Sequence, residues 1–167
     1  MKVNQVWIGF PRWSNFGGAI LCVGFVVVAL WLEWVQGMEP CPLCIFQRLA
    51  FLVMALGLLW GAWRPGYVAA IGVGVGAIAG VALAARHLWL QSLPADQVPA
   101  CGPGLGYLMN TLPLTDVLSR VLSGSGECAE VDYVLGLSIP LWTLLAFVGL
   151  GVWFVGTNVL AGRAQRR

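Results

Sequence analysis

Four long apolar runs decide what this chain can become. They cover about residues 17–35, 43–63, 67–85 and 139–160, and each is long enough to cross a hydrocarbon core of ~30 Å as a helix. Only 10% of the residues are charged and the mean hydropathy is +0.84, whereas soluble domains carry about 25% charge. Most of the apolar surface must therefore face lipid. The reading is an all-α membrane protein: a four-transmembrane-helix bundle forming a single domain over residues 1–167, with one long loop at about 89–138.

Taken in order, Lys2 and Arg12 precede an apolar run from Gly17 to Leu32, which extends to Val35 if Glu33 lies among the head groups. Its length, its terminal Trp31 and Trp34, and the lack of a small-residue cleavage site mark a retained helix rather than a signal peptide. Glu33, Gln36 and Glu39 then read as a short polar loop. The third run holds Gly72-Val73-Gly74-Val75-Gly76, but a dinucleotide fingerprint needs a strand and a βαβ unit around it. Gly72, Gly76 and Gly80 recur every four residues instead, a smooth stripe for close helix packing. Arg86 and His87 are expected to end this helix.

The long loop is the polar part. Cys101 lies among Pro94, Pro99, Gly102, Pro103, Gly104 and Gly106, where no regular element can form. Leu114, Val117, Leu118, Val121 and Leu122 have helical spacing, which predicts a short amphipathic helix lying on the membrane surface. Ser123 to Glu127 is a leash that delivers Cys128. A net charge of +2 without a basic stripe gives no reason to expect nucleic acid. Phosphate-loop, H-E-x-x-H and Ser/His/Asp patterns are absent as well.

The chemistry concentrates in Glu39-Pro40-Cys41-Pro42-Leu43-Cys44-Ile45-Phe46-Gln47-Arg48. If the second helix starts near Pro42, Cys44 and Arg48 stand one turn apart on one face, and Cys41 reaches that face from above. A guanidinium and a helix N-terminus both stabilise a thiolate, the reactive form of cysteine. The same C-x-x-C spacing also serves structural disulfides and zinc sites, and an arginine this close to a helix end commonly snorkels to the head groups. His87 lies near the same surface, where histidine is ordinarily just an interfacial polar residue.

Orientation follows from charge. Lys2, Arg12, Arg64, Arg163, Arg166 and Arg167 share one side, while the opposite loops hold only Arg120 away from the helix ends. The positive-inside rule places both termini in the cytoplasm, so Cys41, Cys44, Cys101 and Cys128 face outward, where disulfides persist. Four cysteines allow three pairings, and local spacing favours Cys41–Cys44 with Cys101–Cys128. Such a mobile pair beyond an activated one suits thiol–disulfide exchange, with no resident metal. The alternative is a metal-handling membrane protein with a four-thiolate site. Cys22, inside the first helix, reads as a small packing residue.

Over nearly its whole length the chain resembles the DsbB family of bacterial inner-membrane disulfide-generating proteins. The resemblance rests on four spans, E-P-C-P-L-C-I-F-Q-R at Glu39–Arg48, G-E-C-A-E at Gly126–Glu130, and Leu135–Trp142 at the start of the last helix. It implies a multi-pass protein of the bacterial cell inner membrane with a periplasmic loop. Its partners would be the bilayer, a DsbA-type periplasmic thioredoxin-fold oxidase, and ubiquinone or menaquinone. By the same resemblance Cys101–Cys128 accepts electrons from that oxidase, with Cys101 forming the mixed disulfide. Cys128 then attacks Cys41, and Cys44 meets the quinone. Arg48 matches the family's quinone-site arginine, and His87 matches a histidine near that site. The vitamin K epoxide reductase-like oxidoreductases place their cysteines in a different order, because here the loop pair follows the C-x-x-C.

Overall fold

A computed structural model describes residues 3–37, 40–94, 96–98, 105–124, 126–129 and 131–166. Glu39 and Cys101 lie outside the described residues. Four helices are long and apolar enough to cross a membrane: α1 (Val3–Gln36), α2 (Pro42–Trp63), α3 (Tyr67–Gln91) and α6 (Ile139–Ala164). Between α3 and α6 come two short helices, α4 (Leu105–Thr111) and α5 (Leu114–Ser123), then a 3-10 turn at Gly126–Ala129. A small antiparallel hairpin follows, β1 (Tyr133–Val134) with β2 (Leu137–Ser138), Tyr133 opposite Ser138.

The long helices are apolar on both faces, so side-chain size sorts them. On α3 the bulky Val68, Ile71, Val75 and Ile78 are exposed, the face that lipid would cover. The small residues Ala69, Gly76, Ala77 and Gly80 are buried. The glycine stripe does what small stripes do in membranes, letting backbones approach. A Cβ at Gly76 would meet the Ala50 carbonyl at 2.9 Å, and one at Gly80 would collide with the Phe147 ring. Through this face α3 packs against α2 and α6, while α2 also packs against α1. Phe51 of α2 stacks on Phe147 of α6 with ring centroids 4.0 Å apart, and on Phe25 of α1 at 5.2 Å. Cys22 is fully buried in this aromatic core. Cys22→Ala should therefore retain full redox turnover at a stability cost of about 1 kcal/mol; normal expression with lost turnover would place Cys22 in the reaction.

Helix α1 is tied to α6 by a reciprocal amide pair, Asn15 and Asn158, both fully buried. Asn15 Nδ2 donates to Asn158 Oδ1 at 3.0 Å, and Asn158 Nδ2 donates to Asn15 Oδ1 at 2.8 Å. At that end Gln165 Nε2 also donates to the Pro65 carbonyl at 2.9 Å, joining the end of α6 to the α2–α3 turn.

Four local expectations change. Gly106 belongs to α4 rather than to irregular chain. Glu33 and Gln36 are not in a loop, because α1 continues through both. Arg86 and His87 do not end the third helix, which runs on to Gln91 and turns His87 inward, 4% exposed. A helix can leave the bilayer still wound, since its backbone bonds are internal. The amphipathic helix forms as α5, but Val117 and Val121 are buried against Leu43, Leu83 and Leu90 at the end of the bundle rather than laid on lipid.

Candidate functional site

The site is built on the first turn of α2. Cys41 caps the helix from extended backbone (φ −65°, ψ 160°), its sulfur accepting from the Cys44 N–H at 3.4 Å, and Pro42 supplies a first-turn residue that needs no N–H partner. The cap brings Cys41 Sγ to 3.2 Å from Cys44 Sγ. That separation is longer than a disulfide bond of about 2.05 Å, so the sulfurs stand as a thiol pair in contact. Cys41 is buried and Cys44 is partly exposed.

Behind the pair stands a chain of polar groups from three helices. His87 Nε2 lies 3.9 Å from Cys41 Sγ, and His87 Nδ1 lies 3.3 Å from Gln47 Nε2. The Thr143 hydroxyl is 2.8 Å from Gln47 Oε1 and 2.9 Å from the Pro140 carbonyl, so it can donate to either. Gln47 and His87 are both buried, and burial obliges each ring and amide atom to find a partner. Gln47 carried no signal in the sequence beyond its position one turn from Leu43, and Thr143 carried none.

In front of the pair opens a cavity of about 300 Å³ between α1, α2, the start of α6 and the hairpin. Phe25, Val28, Leu32, Phe51, Ile139 and Trp142 form its apolar wall, and Cys44, Gln47, Arg48 and Thr143 bring polar atoms to it. Cys44 and Arg48 thus share one cavity, as their spacing on α2 requires. Arg48 is part-buried and held by α1: Nη1 donates to Glu33 Oε2 at 2.6 Å and Nη2 to the Ala29 carbonyl at 3.4 Å. Glu33 went unnoticed as a partner because fifteen residues and a helix change separate it from Arg48. His87 is not part of the cavity wall; it faces Cys41 from the other side.

The hairpin closes one edge. Leu135 and Gly136 both have positive φ (53° and 84°), the backbone of a tight two-residue hairpin turn. Gly136 takes it freely, whereas Leu135 holds a conformation costly for a branched side chain. Leu135 is 89% exposed and lines the cavity mouth. Trp142 Nε1 donates to the Val134 carbonyl at 2.9 Å and fixes the hairpin to α6. Cys128, on the 3-10 turn that packs against α3, is fully buried in the same cluster as Cys41.

The family profile described as "Disulfide bond formation protein DsbB" matches residues 11–157 of this chain. The chain belongs to the DsbB family. Among DsbB relatives, the disulfide bond formation protein B of Chromohalobacter salexigens is 50% identical over 158 residues, covering 90% of each chain. That of Nitrosococcus oceani is 47% identical over 155 residues, covering 87% of this chain and 91% of its own. That of Hahella chejuensis is 50% identical over 162 residues, covering 86% and 94%. As a DsbB-family member with four apolar helices, the chain is a disulfide bond formation protein of the multi-pass membrane type.

Proposed function

We propose that this chain re-oxidises a DsbA-type thioredoxin-fold oxidase in the periplasm and passes the two electrons to ubiquinone or menaquinone in the inner membrane. The observation that carries this reading is the placement of Cys44 and Arg48 on one apolar cavity, with Cys41 in contact behind Cys44. The cavity suits a quinone head: flat apolar walls from Phe25, Phe51 and Trp142, with the Arg48 guanidinium, Gln47 amide and Thr143 hydroxyl available to carbonyl oxygens. A bound quinone supplies an acceptor for two electrons and two protons. Several residues at the cavity, Phe25, Val28 and Trp142 among them, are exposed on the outer surface of the bundle. A lipid-dissolved molecule could therefore enter from the side.

The chain's own residues would work as follows. With both pairs oxidised to disulfides, a thiolate of the oxidase opens Cys101–Cys128 through a mixed disulfide at Cys101. The freed Cys128 attacks Cys41, forming a Cys41–Cys128 bond as the Cys41–Cys44 bond breaks. Cys44 leaves as the thiolate, its charge balanced by Arg48, which Glu33 and Ala29 hold at the cavity wall. His87 stands at Cys41, where a ring nitrogen can take the proton of the incoming Cys128 thiol. Overall one dithiol becomes a disulfide and one quinone becomes a quinol. A DsbA-type oxidase has a known potential of about −120 mV, a property of that system. Taking electrons from it requires a more oxidising sink than thiol buffers provide.

The deciding experiment is quinone reduction by the purified chain with reduced DsbA-type partner. Turnover is expected, and none with either component alone; absence of quinol formation by a folded, oxidised sample overturns the reading. The orientation has its own check. An impermeant thiol reagent applied to reduced intact cells should label Cys101 and Cys44, and labelling that needs permeabilisation would invert the topology.

A further inference from the structure

We infer that the reduced Cys41–Cys44 pair and His87 form a binding site for a thiophilic divalent cation such as Zn²⁺, which would hold the enzyme in its reduced form. The inference rests on the thiol-redox reading above but concerns a different ligand.

Three observations lead to it. Cys41 Sγ, Cys44 Sγ and a His87 ring nitrogen all lie within 4.8 Å of one another. Tetrahedral zinc, with Zn–S of about 2.3 Å and Zn–N of about 2.0–2.1 Å, separates two sulfurs by about 3.8 Å and a sulfur from a nitrogen by about 3.5 Å. Here the sulfurs are 3.2 Å apart, about 0.6 Å short of that separation, and Cys41 Sγ is 3.9 Å from His87 Nε2, about 0.4 Å long of it. Small side-chain rotations therefore bring two thiolates and one imidazole around a single ion, with a fourth position left for solvent.

The histidine is also oriented as a ligand. Metal-binding histidines use one ring nitrogen for the ion and hydrogen-bond the other, and His87 Nδ1 is held by Gln47. Ligation through Nε2 needs the proton on Nδ1 and an acceptor facing it. Turning the Gln47 amide over supplies that acceptor: Oε1 then takes the Nδ1 proton and Nε2 donates to the Thr143 oxygen. The Thr143 hydroxyl is free to donate to the Pro140 carbonyl at 2.9 Å. Every group stays satisfied in both arrangements, so the tautomer that binds a cation costs no hydrogen bond.

The consequence is specific to redox state. Binding exchanges two thiol protons for one cation, with no change in oxidation state. A Cys41–Cys44 disulfide has no thiolates to offer, so the cation binds only the reduced pair and withholds both sulfurs from oxidation. Oxygen-preferring cations such as Mg²⁺ lack affinity for this donor set.

The test is a Co²⁺ titration of the full chain in detergent micelles, in a Cys101→Ser/Cys128→Ser background that removes the loop thiols. The reduced protein should take up one Co²⁺ with thiolate-to-metal charge-transfer absorption and the visible bands of a four-coordinate ion. Zn²⁺ should displace it and Mg²⁺ should not. The signal should vanish in the oxidised protein and in Cys44→Ser. It should weaken about 10- to 100-fold in affinity in Gln47→Leu, as loss of a ligand-orienting partner does, and at least as much in His87→Ala with helical content unchanged. No signal from the reduced protein, or one that survives Cys44→Ser or is unmoved by both His87→Ala and Gln47→Leu, overturns the site. Quinone reduction by the wild-type chain in chelator is measured separately, so its failure would count against the redox reading and leave the cation site standing.

Discussion

Arg48→Lys should raise the apparent KM for quinone by about ten- to a hundred-fold. A weakened hydrogen bond to a charged group is worth roughly 1.5–3 kcal/mol, and that range is the same factor in a rate or equilibrium constant. Lysine keeps the charge and snorkels as well as arginine, but it replaces a planar fork with one mobile point charge. In this structure the fork is used in two directions, to the Glu33 carboxylate at 2.6 Å and to the Ala29 carbonyl at 3.4 Å. Those two bonds aim the guanidinium along the cavity wall beside Cys44. Thiol exchange between Cys101–Cys128 and the soluble partner should be largely intact, since it happens on another segment. Arg48→Ala should be worse than Arg48→Lys, because it leaves the Glu33 carboxylate facing the cavity without its cation. Glu33→Gln should cost less, up to about tenfold, from one charged hydrogen bond made neutral. Combined with Arg48→Lys it should add little, since both changes loosen the same fork. Steady-state kinetics over a quinone series reads all four variants. Wild-type KM in both Arg48 variants would leave the residue as a membrane anchor.

What the sequence revealed and what it hid divide along the range of the interactions. The four spans were legible because a helix in lipid must be apolar over most of its length, and the contiguous apolar runs record that. The start of α2 was legible because Pro42 and the Cys41 cap are local devices, and the Cys44–Arg48 relation follows from helical pitch. Of the partners around the site only His87 was named, through the family resemblance, and its contacts were not. Glu33, His87 and Thr143 reach the C-x-x-C helix across 15, 40 and 96 residues of chain, counted from Arg48, Gln47 and Gln47 respectively. No local pattern announces such pairs. The helix α5 was predicted from periodicity, but periodicity tells that a face is apolar and not which apolar medium it meets. Val117 and Val121 chose Leu43 and Leu90 over lipid. The hairpin at Tyr133–Ser138 was missed because Leu135 is an unusual residue for positive φ, whereas an asparagine there would have signalled the turn.

The deepest of the hidden pairs gives the largest expected effect on stability. Asn158→Leu should destabilise the bundle by about 1–3 kcal/mol, the cost of leaving a buried polar group unmet. The loss includes both reciprocal bonds and strands the Asn15 amide, which is fully buried. Asn15 has little room to turn elsewhere, since even a Cβ at Gly61 would come within 2.7 Å of its Nδ2. Asn15→Leu should cost less than Asn158→Leu, because the stranded Asn158 Nδ2 keeps the Phe154 carbonyl at 2.8 Å. The double variant Asn15→Leu/Asn158→Leu removes both amides, leaves nothing stranded, and places two apolar side chains where α1 meets α6. It should therefore cost clearly less than the sum of the two single changes. The magnitude stays moderate because helices separated within a membrane or micelle find other partners, and measured couplings of this kind average about 0.6 kcal/mol with a maximum of about 1.7. Unfolding by a denaturing detergent in mixed micelles, followed by helical ellipticity, gives the three free-energy differences and their coupling. Strictly additive losses would mean the two amides do not act as a pair, and that α1 is held to α6 by packing alone.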